Sequence, residues 1–156
     1  MKKLTFDSGI REYQINDNGV LRFNPADPNV YARLMESGEK IKAVEDRLLA
    51  KAKELIPEGE EESSGAVVLQ LMREADKEIK DVLVYIFGVE NNFDEIFAGV
   101  NLMAVGDNGE RVLTNFLNAM IPIVEKGAKK CAEQQIKRAT EKANGNRAQR
   151  RAAAKK

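Results

Sequence analysis

Between Val68 and Ile86 the apolar residues Val68, Leu71, Met72, Ala75, Ile79, Val82, Leu83 and Ile86 recur every three or four positions. That period gathers them on one face of an α-helix, whereas in a strand the same residues would be divided between both faces. An amphipathic helix must bury its stripe against a second layer, so a chain built around this segment is committed to helix-on-helix or helix-on-sheet packing. Gly88, directly after Phe87, supplies the stop.

The neighbouring segments supply that second layer. Asp27-Pro28 opens a helix, because Asp can accept from a free amide and Pro at the first position loses no hydrogen bond. Leu34, Ile41, Leu48 and Leu55 follow at a spacing of seven, flanked by Tyr31, Val44 and Ala52, and Pro57 ends the stripe. Asn92 with Glu95 reads as a cap for a short helix running through Phe97 to Gly99. Asp107 with Glu110 opens a last helix whose apolar set is Val112, Leu113, Phe116, Leu117, Met120, Ile121 and Val124, with Pro122 inside it as a kink. Beyond Gly127 only Cys131, Ala132 and Ile136 interrupt a polar, basic pattern, which is expected to fray near Asn144-Gly145.

Upstream of the helices the period changes to two. Arg11–Asn16 and Val20–Asn24 flank Asp17-Asn18-Gly19, whose Asn-Gly step tolerates the positive φ that a hairpin turn needs. Lys3–Phe6 is expected as a third strand, and Glu58–Ser64 as an acidic surface loop, with Ser63 or Ser64 capping the helix after it. The expected architecture is mainly α with a small N-terminal β-hairpin (α+β). It is a bundle of about four helices in one domain, 1–143, comprising a hairpin region, 1–26, and a helical region, 27–143. A flexible basic tail, 144–156, completes the chain.

Charge divides the chain as sharply as periodicity does. From Lys126 to Lys156 eleven Lys or Arg face two Glu, a net of nine positive charges; the whole chain nets zero, so residues 1–125 carry nine negative ones. Such a separation assigns different tasks to body and tail. The tail could bind nucleic-acid phosphates, pair with an acidic protein surface, or keep an assembly soluble; it has no aromatic residue to stack on bases.

His is absent, which removes the commonest general base and metal ligand. Cys131 is the sole cysteine, so no intramolecular disulfide or thiolate cluster can form. Asp107–Glu110 lacks the spacing of a calcium loop, and Asp76 with Lys80 reads as a solvated i,i+4 pair. Neither catalytic residues nor a metal or other cofactor are expected. No apolar run suggests a membrane span, and Met1–Asp7 has no long apolar stretch of a signal peptide, so a cytoplasmic location is expected. Four of the six Phe, at 87, 93, 97 and 116, fall within thirty residues. They read as core, or, for Phe93 and Phe97 at i,i+4, as the lining of a groove for an apolar helix.

Three segments in order resemble the tail assembly chaperones of long-tailed bacteriophages and prophages of Gram-positive bacteria. They are Leu21-Arg-Phe-Asn-Pro-Ala-Asp-Pro28 after the hairpin, Glu74–Gly88 followed by Phe93 and Ile96-Phe97, and Asn115–Pro122 with the Asn146–Arg151 ending. The resemblance implies a non-enzymatic protein of the host bacterial cytoplasm that coats and solubilises the tape measure protein and helps recruit tail tube protein. Self-association would accompany that role. Under it, Phe93, Ile96 and Phe97 are the expected tape-measure contacts, and Arg147, Arg150, Arg151, Lys155 and Lys156 the contacts of the tail with a second partner. The family often extends its short form by ribosomal frameshifting; adenine-rich codons at Lys155 and Lys156 would suit this, and the gene sequence tests it. The rival reading is a small nucleic-acid-binding or regulatory protein that uses the basic tail.

Overall fold

A turn over 15–18, not the expected Asn18-Gly19 step, joins β1 (Arg11–Gln14) to β2 (Val20–Phe23) in the computed structural model, which describes residues 1–155. The strands are antiparallel, with Arg11 opposite Phe23 and Tyr13 opposite Leu21. Asn16 takes a φ of 50°, and the Ile15 N–H donates to the Gly19 carbonyl at 2.9 Å. A side chain on Gly19 would stand 2.6 Å from the Ile96 Cα, so the turn requires glycine to sit this close to the helical layer. Leu21 and Phe23 point into the core, as the alternation predicts. The outer edge of β2 is closed by one side chain: Asn91 Oδ1 accepts from the Arg22 N–H, and Asn91 Nδ2 donates to the Arg22 carbonyl, each at 2.8 Å.

The third strand expected at Lys3–Phe6 does not form. Residues 1–10 lie outside any regular element, and Gly9 turns the chain at a φ of 70° with its N–H donating to Asp7. This turn separates the apolar residues Leu4 and Phe6 from β1 before they can pair with it.

Three long helices, one short helix and a 3-10 turn follow among the described residues. Asp27 caps α1 (Pro28–Leu55) by accepting from the Asn29 N–H, with Pro28 at its first position. Its buried side is Val30, Leu34, Ser37, Ile41 and Val44; the expected stripe fades at Leu48 and ends with Leu55 exposed, because the helix outruns the core. α2 (Gly65–Phe87) returns antiparallel, tied to α1 by Arg47–Glu78, by Lys51–Glu74 at 3.3 Å and by the Tyr85 hydroxyl donating to Glu36 at 2.9 Å. Gly88, at a φ of 110°, stops it. Neither Ser63 nor Ser64 caps α2: both hydroxyls donate to the Glu60 carbonyl, and Glu61–Ser64 forms a 3-10 turn where an open loop was expected. The short α3 (Phe93–Ile96) is capped by Asn92 as its sequence predicts.

Asp107 and Glu110 do not cap the last helix. They belong to a tight turn closed by the Gly106 N–H donating to the Glu110 carbonyl and by a bridge between Val105 and Arg111. α4 starts after it and runs from Val112 to Ala154, through Pro122 and Gly145. Its length corrects the expected fraying near Asn144-Gly145: the helix continues through both. A helix already nucleated on the core is extended by Ala, Arg, Gln and Lys, all good helix formers, more readily than Gly145 can stop it.

α4 crosses α1 antiparallel. Arg111 pairs with Glu45 at one end of the contact, and Gly127 meets Pro25 at the other so closely that a Cβ there would lie 1.8 Å from the Pro25 carbonyl oxygen. Between these points the core closes around Phe87, which touches the rings of Phe23, Phe93 and Phe116 at centroid distances of 5.0 to 6.2 Å. The protein is thus mainly α with a small β-hairpin. Among the described residues no helix is long and apolar enough to cross a membrane.

Candidate functional site

Phe93, Ile96 and Phe97, expected to face a partner helix, are 2%, 2% and 6% exposed. Phe93 stacks on Phe97 at 6.0 Å, and Phe97 meets Phe116 edge-on at 5.0 Å. They are core residues, and this corrects their assignment to an open surface. The i,i+4 spacing on a short capped helix fits both a groove and a buried plug; the aromatic rings of β2, α2 and α4 decide for the plug.

The surface carries two other features. The first is an open groove of about 810 Å³ between the start of β1 and the α4 segment just past its crossing with α1. Ile10, Tyr13 and Ile123 give it an apolar lining, and Arg11, Lys126 and Lys130 a basic one. The N-terminal segment leads into it through Asp7, Gly9 and Ile10, and its Leu4, Phe6 and Ile10 are 86%, 78% and 55% exposed. The free edge of β1 is open: in an antiparallel pair whose hydrogen-bonded positions include Tyr13 and Leu21, the backbone groups of Glu12 and Gln14 turn outward. No signal in the sequence marked this groove, because it depends on Gly127 bringing α4 against Pro25.

The second feature is the arm. From Ala132 to Lys155 every residue of the chain is exposed. Arg147, Arg150, Arg151 and Lys155 all stand on it, free of the body, as the expected tail contacts require; Lys156 lies outside the described residues. One ion pair, Lys137–Glu141 at 4.0 Å, lies along it. Cys131 sits half-buried at its root.

The Asp76–Lys80 pair that the sequence left on a solvated face is buried and forms a lock with the exposed Asp94. Lys80 Nζ donates to Asp76 Oδ2 at 2.7 Å and to Asp94 Oδ1 at 2.8 Å, while Asp76 Oδ1 accepts from the Leu102 N–H at 2.7 Å. Asp76 and Lys80 are both buried, so the pair was read correctly but its burial was not. Burial by itself lowers the Lys80 pKa; the hydrogen bonds from Asp76 and Asp94 outweigh it, and the net shift is upward. The lock joins α2, α3 and the loop after α3. Asp94 stays exposed at the edge of the lock, while the contacts of Asp76 and Lys80 lie within the fold, so its role is cohesion.

Among the described residues no group of three or more His, Cys, Asp or Glu is placed to hold a metal ion. The class this architecture defines is a hairpin-capped helical body bearing a long basic helical arm. Compared with protein-family models, with curated proteins and with solved structures, the chain finds no match.

Proposed function

We propose that this chain is a non-enzymatic tail assembly chaperone that covers the apolar face of a long helical tape measure protein. The reading is supported by the resemblance of its three ordered segments to that family. On the surface, one observation carries it: an uncovered N-terminal segment, with Leu4, Phe6 and Ile10 in the solvent, leads through Ile10 into a partly apolar groove. A partner helix laid against that segment would bury apolar side chains on both sides, at roughly 25 cal/mol for each Å² removed from water. The tape-measure contacts are then Leu4, Phe6 and Ile10 in place of Phe93, Ile96 and Phe97. Modest affinity per copy suits a chaperone that must leave as tail tube protein assembles, since many copies on one partner supply the retention. The arm, with Arg147, Arg150, Arg151 and Lys155, is the element that reaches the second partner.

The test is co-expression with the tape measure protein of the same gene cluster, followed by co-purification at low and high salt. The expected outcome is a soluble, salt-resistant complex, lost in a Leu4→Ser, Phe6→Ser, Ile10→Ser variant that keeps its fold. A tape measure protein that precipitates regardless of this chain overturns the reading. The basic arm favours one rival, a nucleic-acid-binding protein. Its binding would weaken steeply with salt through counterion release, whereas apolar contact would not.

A further inference from the structure

The two ends of the molecule are opposite in charge and far apart. α1 and α2 run antiparallel, so the turn between them, 56–64, lies at one pole. From Glu54 through Met72 the chain holds five Glu and no Lys or Arg, and Glu54, Glu58, Glu60, Glu61 and Glu62 are all exposed. Leu55, Val68 and Leu69 stand exposed on the helix ends that carry this turn. α4 runs antiparallel to α1, from Glu45 toward Pro25, so its arm leaves the body at the opposite pole. From Lys142 through Lys155 the arm holds five Lys or Arg and no acid. α1, with 28 residues, spans about 42 Å at 1.5 Å per residue, and the arm points away from the acidic pole of its own chain. The arm therefore cannot reach that pole within one molecule.

We propose that copies of this chain associate head to tail, the basic arm of one copy docking on the acidic pole of the next. The arm is a helix without a packing partner, and the complement of its charge is displayed on the same polypeptide. The Ala-rich arm lets a second chain approach closely, and Leu55, Val68 and Leu69 give the acidic pole an apolar floor for that approach. Such a contact joins two different surfaces, so it propagates into an open chain or closes into a ring. This gives the acidic turn a role and does not rest on the tape-measure reading.

The experiment uses the full chain, freed of nucleic acid by nuclease and a high-salt wash, with mass followed by light scattering against concentration. At about 0.01 M salt the average mass should rise with concentration, and at about 1 M salt it should fall to that of one chain, because the screening length shrinks from about 30 Å to about 3 Å. Two charge-reversed chains then carry the decision: one with Glu58→Lys, Glu60→Lys, Glu61→Lys and Glu62→Lys, the other with Lys142→Glu, Arg147→Glu, Arg150→Glu, Arg151→Glu and Lys155→Glu. Each alone should remain a single chain at low salt with unchanged helix content. Mixed in equal amounts they should assemble again, since each arm then meets a pole of opposite sign. A wild type that stays a single chain at low salt overturns the proposal. So does assembly that survives either reversal, or a mixture that fails to recover. Assembly that appears only when nucleic acid is added back shows that phosphates occupy the arm, and also overturns it.

Discussion

Single side chains decide where this fold can be broken. Lys80 is held in low dielectric by Asp76 and Asp94, so Lys80→Met leaves Asp76 buried without its cation and should cost about 3 kcal/mol, read by denaturant unfolding. Replacing both members, as in Lys80→Met with Asp76→Leu, should recover part of that loss, limited by the Leu102 N–H left without its acceptor. The same group sets an alkaline limit. Its folded-state pKa lies above the ordinary 10.5, so the stability it contributes is complete below about 10.5 and is lost as pH rises through the folded value. Thermal unfolding followed from pH 7 upward should show this extra alkaline loss in the wild type and not in Lys80→Met. Gly127 is the second such position: the Cβ of Gly127→Ala meets the Pro25 carbonyl oxygen, a backbone atom that cannot swing aside, and the helix must move. An overpacking cost of about 2 kcal/mol or more is expected in the same unfolding assay, against a Gly38→Ala control in open space that should gain about 0.5 to 1 kcal/mol from helix propensity.

At the scale of elements, α1, α2 and α3 were legible because each carries its period and a punctuating residue: Asp27-Pro28, Gly88 and Asn92. The hairpin was legible from the 17–19 turn signal, although the positive φ falls on Asn16 and not on Asn18 or Gly19. The failures share a physical cause, which is that local chemistry does not state its tertiary partner. Lys3–Phe6 has strand-like alternation but no strand beside it, and Asp107–Glu110 has cap-like residues already engaged in a turn. Phe93 and Phe97 have a groove-like spacing that a cluster of distant aromatic rings turns inward. A Phe93→Ala substitution separates the two assignments. As a core truncation it should cost about 3 to 5 kcal/mol of folding stability, where loss of a surface contact would leave stability nearly unchanged. The arm behaves in the opposite way. Truncation after Asn144 removes described residues that are all exposed, so the stability of the body, read by thermal unfolding, should stay within about 0.5 kcal/mol of the original.

For the whole molecule, the governing quantity is a charge separation that leaves no net charge. Globular proteins near zero net charge lose the mutual repulsion that keeps copies apart, and the sequence pI of this chain, 6.4, lies close to neutrality. Here the cancellation is between distant regions of one rod-like arrangement of helices, so neighbouring copies can lower their energy by orientation alone. The arm is what creates that state. Residues 132–156 hold eight Lys or Arg and two Glu, so a chain cut after Cys131 keeps six net negative charges. The expected outcome is that light scattering of the full chain at pH 7 is strong at low salt and clears on adding salt. The truncated chain should stay dispersed over the same range and bind an anion exchanger at pH 7. Should the truncated chain scatter as strongly as the full one, the attraction would belong to the exposed Leu4, Phe6 and Ile10 instead. Added salt would then strengthen it, because apolar association is not weakened by screening. The sign of the salt response therefore tells which of the two uncovered surfaces brings copies of this protein together.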